Sequence, residues 1–141
     1  MERIRLGRIL GLDYGERRIG ISISDPLHTI ASPLRSIDRK VEPDYLKIIQ
    51  SIIINKEIEK IIIGVPYTMK NKISKQTKIV NEFIQEIKQN LKIPVQGIDE
   101  RLSTVTAEKE LRKQGIKPSL EKSKVDIIAS AIILQEYLDS N

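Results

Sequence analysis

The run Lys60–Val65 carries Ile61, Ile62 and Ile63 in succession and stops at Gly64 and Pro66. A strand that is apolar on both faces has to be covered on both faces, so this run reads as a buried parallel strand. Its flanks agree. From Pro43, which suits a first helical turn, Leu46, Ile49 and Ile53 repeat with helical spacing to about Lys56. Beyond Pro66, the residues Ile73, Val80, Phe83, Ile84, Ile87 and Leu91 mark a second amphipathic helix, and Ile93–Ile98 follows as another strand.

The segment before this unit has a different texture. Ile9–Asp13, Ile19–Ser24 and Ser32–Ile37 are short β-like runs, the second alternating Ile and Ser in the pattern of a half-buried strand. The links Tyr14–Arg18 and Asp25–Ala31 are short and carry Gly or Pro, which favours an antiparallel meander. After the last strand, Ser103 or Thr104 can cap a helix that runs to Gly115. Lys117-Pro118 makes a break, and a final helix covers about Leu120 to Leu138, apolar nearly all round. The expected fold is α/β: a mixed five-stranded sheet, an antiparallel meander plus two parallel strands, with helices on both faces. At 141 residues, one domain over 1–141 is expected.

Composition narrows the chemistry. Aromatic residues are 4%, with one Phe and no Trp, so the core is aliphatic and mostly Ile. With no cysteine, a disulfide scaffold, a Cys-ligated zinc site, an iron–sulfur cluster and thiol catalysis are excluded. A single histidine, His28, speaks against a His-based triad or a multi-His metal site. The net charge of +5 is compatible with a nucleic-acid partner without requiring one. Met1–Arg8 has no apolar export segment, and no apolar run approaches the roughly 20 residues of a membrane span. The expectation is a cytoplasmic protein with no membrane partner.

Three carboxylates stand where a core would not place them. Asp13 closes the first apolar strand, Asp99-Glu100 closes the last, and Asp126 lies between Val125 and Ile127 in the apolar helix. If the first, fourth and fifth strands are parallel neighbours, Asp13, the Gly64–Pro66 loop and Glu100 share the C-terminal edge of the sheet, where open α/β sheets place their ligands. Clustered carboxylates repel, and a divalent ion with oxygen ligands, Mg²⁺ or Mn²⁺, relieves the repulsion. Each residue also has a plainer use: Asp13 as a turn residue, Asp99 or Glu100 as a helix cap, Asp126 as an ion-pair partner of Lys122.

These residues lie in four motifs that carry a resemblance. Arg8-Ile-Leu-Gly-Leu-Asp-Tyr-Gly-Glu-Arg-Arg-Ile-Gly20 with Ser24-Asp25-Pro26 resembles the opening of the YqgF (RuvX) family of pre-16S rRNA nucleases, also called Holliday junction resolvases. Ile61-Ile-Ile-Gly-Val-Pro66 resembles its second motif, Asp99-Glu-Arg-Leu-Ser-Thr104 its third, and Lys124-Val-Asp-Ile-Ile-Ala-Ser-Ala131 with Ile133-Leu-Gln135 its fourth. The match spans nearly the whole chain in order and spacing. It implies an RNase H-like fold and metal-dependent hydrolysis of nucleic-acid phosphodiesters, with Asp13, Glu100 and Asp126 as the catalytic, metal-holding residues. In a two-metal arrangement Asp13 would bridge. The implied role is 5′-end processing of pre-16S rRNA in ribosome biogenesis. The alternatives are resolution of branched DNA junctions, or a nucleic-acid-binding regulatory factor. A resolvase would need a symmetric homodimer, whereas the RNA reading allows a monomer. The chain departs from the family after Pro66, where Thr68-Met-Lys-Asn-Lys-Ile73 replaces an Asn-Met-Asp-Gly-like stretch.

Candidate phosphate contacts are Arg17, Arg18, Lys70, Lys72, Arg101, Lys122 and Lys124, each of which can equally be a solvated surface charge. Tyr14 and Tyr67 can stack on a base or pack at a strand end. His28, in a Pro-containing turn, reads as structural or exposed.

Overall fold

A computed structural model describes residues 7–67, 73–100, 109, 111–115 and 122–140, with Lys122 and Ser123 in backbone only. Strands β1 (Arg8–Tyr14), β2 (Arg18–Ser24) and β3 (Ala31–Asp38) lead into helix α1 (Tyr45–Asn55). Strand β4 (Ile58–Val65), helix α2 (Lys75–Leu91), strand β5 (Val95–Asp99) and helix α3 (Lys122–Asp139) follow. The five strands form one sheet in the order β3-β2-β1-β4-β5. The meander β1–β2–β3 is antiparallel, while β1–β4 and β4–β5 are parallel. This is the mixed sheet read from the strand patterns.

Strand alternation sends different residues to the two faces. On one face Leu10, Leu12, Ile19, Ile21, Ile61, Ile63 and Val65 meet Ile49 of α1 and Val80, Phe83, Ile84 and Ile87 of α2. Full burial of each such side chain is worth about 1.5–3 kcal/mol, so this layer dominates the core. On the other face Ile9 and Ile62 meet Ile133, Leu134 and Leu138 of α3. Where α3 approaches most closely, that face is made of small residues. A Cβ on Gly11 would stand 3.0 Å from Leu134 Cβ, and one on Gly20 would stand 2.2 Å from the Asp126 carbonyl oxygen. The Ile–Ser alternation of β2 therefore has a purpose: isoleucines face α1 and α2, while Gly20 and Ser22 let α3 lie close. Ser130 Oγ donates to Gly11 O at 2.9 Å and lies 2.8 Å from Ser22 Oγ, fixing the helix on the sheet.

Local details differ from the sequence expectation at β2, which is buried on both faces because Ser22 and Ser24 are covered as well as its isoleucines, and at two helix starts. Pro43 stands before α1 instead of in its first turn, because the Asp44 carbonyl accepts from Lys47 N and Ile48 N and so makes Asp44 the N-cap. Helix α2 starts at Lys75, not near Ile73, because Ser74 and Thr77 form a capping box. The Thr77 hydroxyl also donates to the Pro66 carbonyl, tying α2 to the end of β4. Of the helix expected from Ser103 to Gly115, Lys109 and Leu111–Lys113 are helical and Gly115 follows with φ +76°; the rest lies outside the described residues. Leu111 packs on Val125 and Ala129, which gives α3 its second apolar side.

Candidate active site at the carboxylate edge

Asp13 sits at the C-terminal end of β1, paired with Gly20 of β2, and by alternation shares the α3 face with Gly11 and Ile9. Glu100 follows β5 and donates its backbone N–H to Val65 O at 3.1 Å, which pins it to the end of β4. Parallel pairing thus brings the ends of β1, β4 and β5 to one edge. Asp126 reaches that edge from the first turns of α3, whose backbone lies against Gly20. Gly64 leaves the hollow that Glu100 fills: a Cβ there would stand 2.9 Å from the Glu100 carboxyl carbon and 2.6 Å from Ile133 Cδ1.

Electrostatics tie the three together in pairs. Burial first, and then the Asp126 charge, push the Asp13 carboxyl up from 3.8 to about 7. Burial first, then the charges of Asp13, Asp99 and Glu136, push Glu100 up from 4.5 to about 8. Glu100 Oε2 is buried and has no hydrogen-bond partner among the described residues. A buried carboxylate oxygen in that state is costly unless a cation or a proton meets it. Among the described residues, no three carboxylate or imidazole groups stand as a ready-made ligand set.

The basic residues divide. Arg17 is committed to Asp38, with Nη2 at 2.9 Å from Oδ2 and Nε donating to both carboxylate oxygens at 3.1 Å. Arg18 opens β2, where its charge helps hold Asp38 below the usual carboxylate range, after the larger effect of the Arg17 hydrogen bond. Lys124 is exposed near the start of α3. Lys70, Lys72 and Arg101 lie outside the described residues, as does the side chain of Lys122. Sequence reasoning passed over Arg39 and Lys40, which with Glu16 and Arg17 line a cleft of about 500 Å³ beside the β1–β2 turn.

Several residues prove to be supports. Tyr14 stacks on Phe83 with ring centroids 4.1 Å apart, and Tyr67 packs against the same core, so packing accounts for both. Asp25, from the first motif, accepts from Thr29 N at 2.7 Å and Ile30 N at 2.8 Å and shapes the β2–β3 turn. Ser24 Oγ accepts from Ile9 N at 2.8 Å. His28 Nε2 lies 2.6 Å from Gly7 O and 3.2 Å from Glu59 Oε1, at the opposite end of β1 from Asp13.

The RuvX family model, described as Holliday junction resolvase, matches residues 7–140. The chain belongs to the RuvX family. A relative from Roseiflexus sp. (strain RS-1), named "Putative pre-16S rRNA nuclease", is 40% identical over 134 residues, covering 95% of each chain. One of the same name from Halothermothrix orenii is 40% identical over 132 residues, 94% of each chain. Among solved structures, RuvC of T. thermophilus in complex with Holliday junction substrate aligns at TM-score 0.54 and 13% identity, covering 95% of this chain and 94% of that one. The fowlpox virus resolvase with junction DNA aligns at 0.53 and 13%, covering 94% and 97%. At such identities the likeness carries the fold, which is RNase H-like. Membership of RuvX makes the chain a hydrolase of the nuclease class, acting on phosphodiester bonds. No described helix of this RuvX chain is long and apolar enough to cross a membrane.

Proposed function

We propose that this chain, as one domain over residues 1–141, is a divalent-metal-dependent nuclease that processes the 5′ end of pre-16S rRNA in the cytoplasm. The observation that carries the reading is the Glu100 carboxylate. Its Oε2 is buried without a partner among the described residues, in the hollow left by Gly64, while the Asp13 charge adds to its raised proton affinity. The names of the relatives at 40% identity support the RNA substrate.

The donor chemistry fits Mg²⁺ or Mn²⁺, hard ions that take carboxylate oxygens. Asp13, Glu100 and Asp126 would hold it, drawing together as their repulsion is neutralised. Bound there, such an ion would supply charge stabilisation and an activated water. His28 lies at the far end of β1, so it is no base for this edge. Arg18 and Lys124, with Arg17 when it leaves Asp38, would hold phosphates on the flanks; Lys70, Lys72, Arg101 and Lys122 would extend that path. Water adds to phosphorus as the 3′ oxygen leaves, giving 5′-phosphate and 3′-hydroxyl ends.

The test is cleavage of a pre-16S rRNA precursor and of a four-way DNA junction side by side, with Mg²⁺, Mn²⁺ or EDTA. Cleavage of the RNA that EDTA abolishes is expected. Metal-dependent cleavage of the junction alone would favour the second reading, junction resolution, which the description of the family supports. That activity needs two sites across a junction, so the protein would then be a symmetric dimer in solution.

A further inference from the structure

The end of β3 grips the β1–β2 turn at more points than strand pairing requires. Asp38, the last residue of β3, pairs with Arg18 and holds the Arg17 side chain. Arg39 comes next, and its backbone N–H donates to Arg17 O at 2.9 Å. Its side chain then takes hold of three consecutive residues. Nη1 donates to Tyr14 Oη at 2.9 Å, Nη2 to Gly15 O at 2.7 Å, and Nη2 again to the Glu16 carbonyl. The guanidinium carbon lies 4.5 Å from the centre of the Tyr14 ring. Those three residues are the ones that follow Asp13 in the chain.

We propose that Arg39 is a positioning residue for Asp13. The inference rests on the reading of Asp13 as a catalytic carboxylate. Asp13 faces α3, and Tyr14, one residue on, faces α1 and α2, where Phe83 and Arg39 hold it. The strand end is therefore fixed from the face opposite the carboxylate. A planar guanidinium fork suits the task, because it can bridge several acceptors in one fixed geometry where an ammonium acts as a point charge. Arg39 also lines the cleft beside the turn, where a cation would ordinarily be assigned to a substrate phosphate. Here both terminal nitrogens already donate to protein oxygens, and Nε is buried. The side chain is organised towards the turn.

The experiment compares Arg39→Met, Arg39→Lys, Tyr14→Phe and Asp13→Asn with wild type, in the full chain, on the substrate that wild type cleaves. A displacement of about 1 Å in a reacting group costs about 100-fold. Arg39→Met should therefore lower kcat by about 10- to 100-fold, with KM and the salt dependence of substrate binding unchanged. Arg39→Lys should recover part of the loss and Tyr14→Phe should lose less than Arg39→Met. In the metal-free protein, the Gly15 amide should exchange with solvent faster in Arg39→Met while amides in the middle of β4 do not. A fall in affinity and salt slope at unchanged kcat would overturn the proposal and assign Arg39 to a phosphate. Wild-type kcat in Arg39→Met would also overturn it. If Arg39→Met does not fold, wild-type kcat and Gly15 exchange in both folded variants, Arg39→Lys and Tyr14→Phe, overturn it equally. Asp13→Asn cleaving as fast as wild type would overturn the catalytic reading itself, separately from any result at Arg39.

Discussion

Asp13→Asn is expected to stabilise the metal-free protein at alkaline pH while abolishing cleavage. In the fold, burial and the Asp126 charge move the Asp13 carboxyl from 3.8 to about 7. At about 1.4 kcal/mol per tenfold in proton affinity, keeping this group ionised in the fold costs on the order of 4 kcal/mol. The folded pKa lies above the unfolded one, so the folded state binds the proton more tightly. Wild-type stability should fall as pH rises from about 4 to about 7, and the whole cost is present above that range. Asparagine keeps the shape, removes the charge and offers Asp126 an N–H donor. Urea unfolding in EDTA, repeated from pH 4 to pH 8, is the assay. The variant should match wild type near pH 4 and exceed it by roughly 2–4 kcal/mol at pH 8. Equal or lower stability of Asp13→Asn at pH 8 would refute the claim that this carboxyl is desolvated and repelled.

Four further outcomes follow from the packing of α3, from the hollow at Gly64 and from the turn. Gly20→Ala should cost at least about 3 kcal/mol or prevent folding, because its Cβ would meet the Asp126 backbone carbonyl at 2.2 Å; Gly64→Ala meets side-chain atoms that can swing, so about 1–3 kcal/mol and reduced cleavage are expected in thermal melts and activity assays. Ser130→Ala should lose about 1–3 kcal/mol in urea unfolding, since it removes the donor to Gly11 O and leaves Ser22 Oγ without its partner hydroxyl. Arg17→Gln should lower the salt slope of RNA binding by about 0.7–0.9 if that guanidinium leaves Asp38 for a phosphate, and an unchanged slope would assign it to Asp38 alone.

The sheet could be read from the chain because its two textures are physically distinct. An all-apolar run such as Ile61–Ile63 needs cover on both faces, while alternating Ile and Ser in β2 reads as covered on one; the structure covers β2 on both, because Ser22 and Ser24 are buried as well. The placement of the carboxylates was readable for a similar reason: Asp13 and Glu100 close strands and Asp126 interrupts an apolar helix, and such breaks are visible in one dimension. What was hidden depends on register. The need for Gly20 appears only once α3 is laid against β2, and that for Gly64 only once Glu100 is pinned to Val65. Arg39 was invisible as a support because it sits in a charged stretch, Asp38–Lys40, that reads as surface. Its partners Tyr14, Gly15 and Glu16 lie more than 20 residues away. The motif residues Ser24 and Asp25 carried the family resemblance yet serve a turn and a strand contact, so motif membership alone did not separate chemistry from scaffold.

If Asp13, Glu100 and Asp126 form a divalent-metal centre, a divalent ion should bind between them. Anomalous diffraction from crystals of the wild-type protein soaked in Mn²⁺ tests it most directly. Manganese density should be bonded by carboxylate oxygens of all three residues and be absent from Asp13→Asn crystals soaked in the same way. Manganese bound elsewhere, or bonded to none of the three, would contradict it.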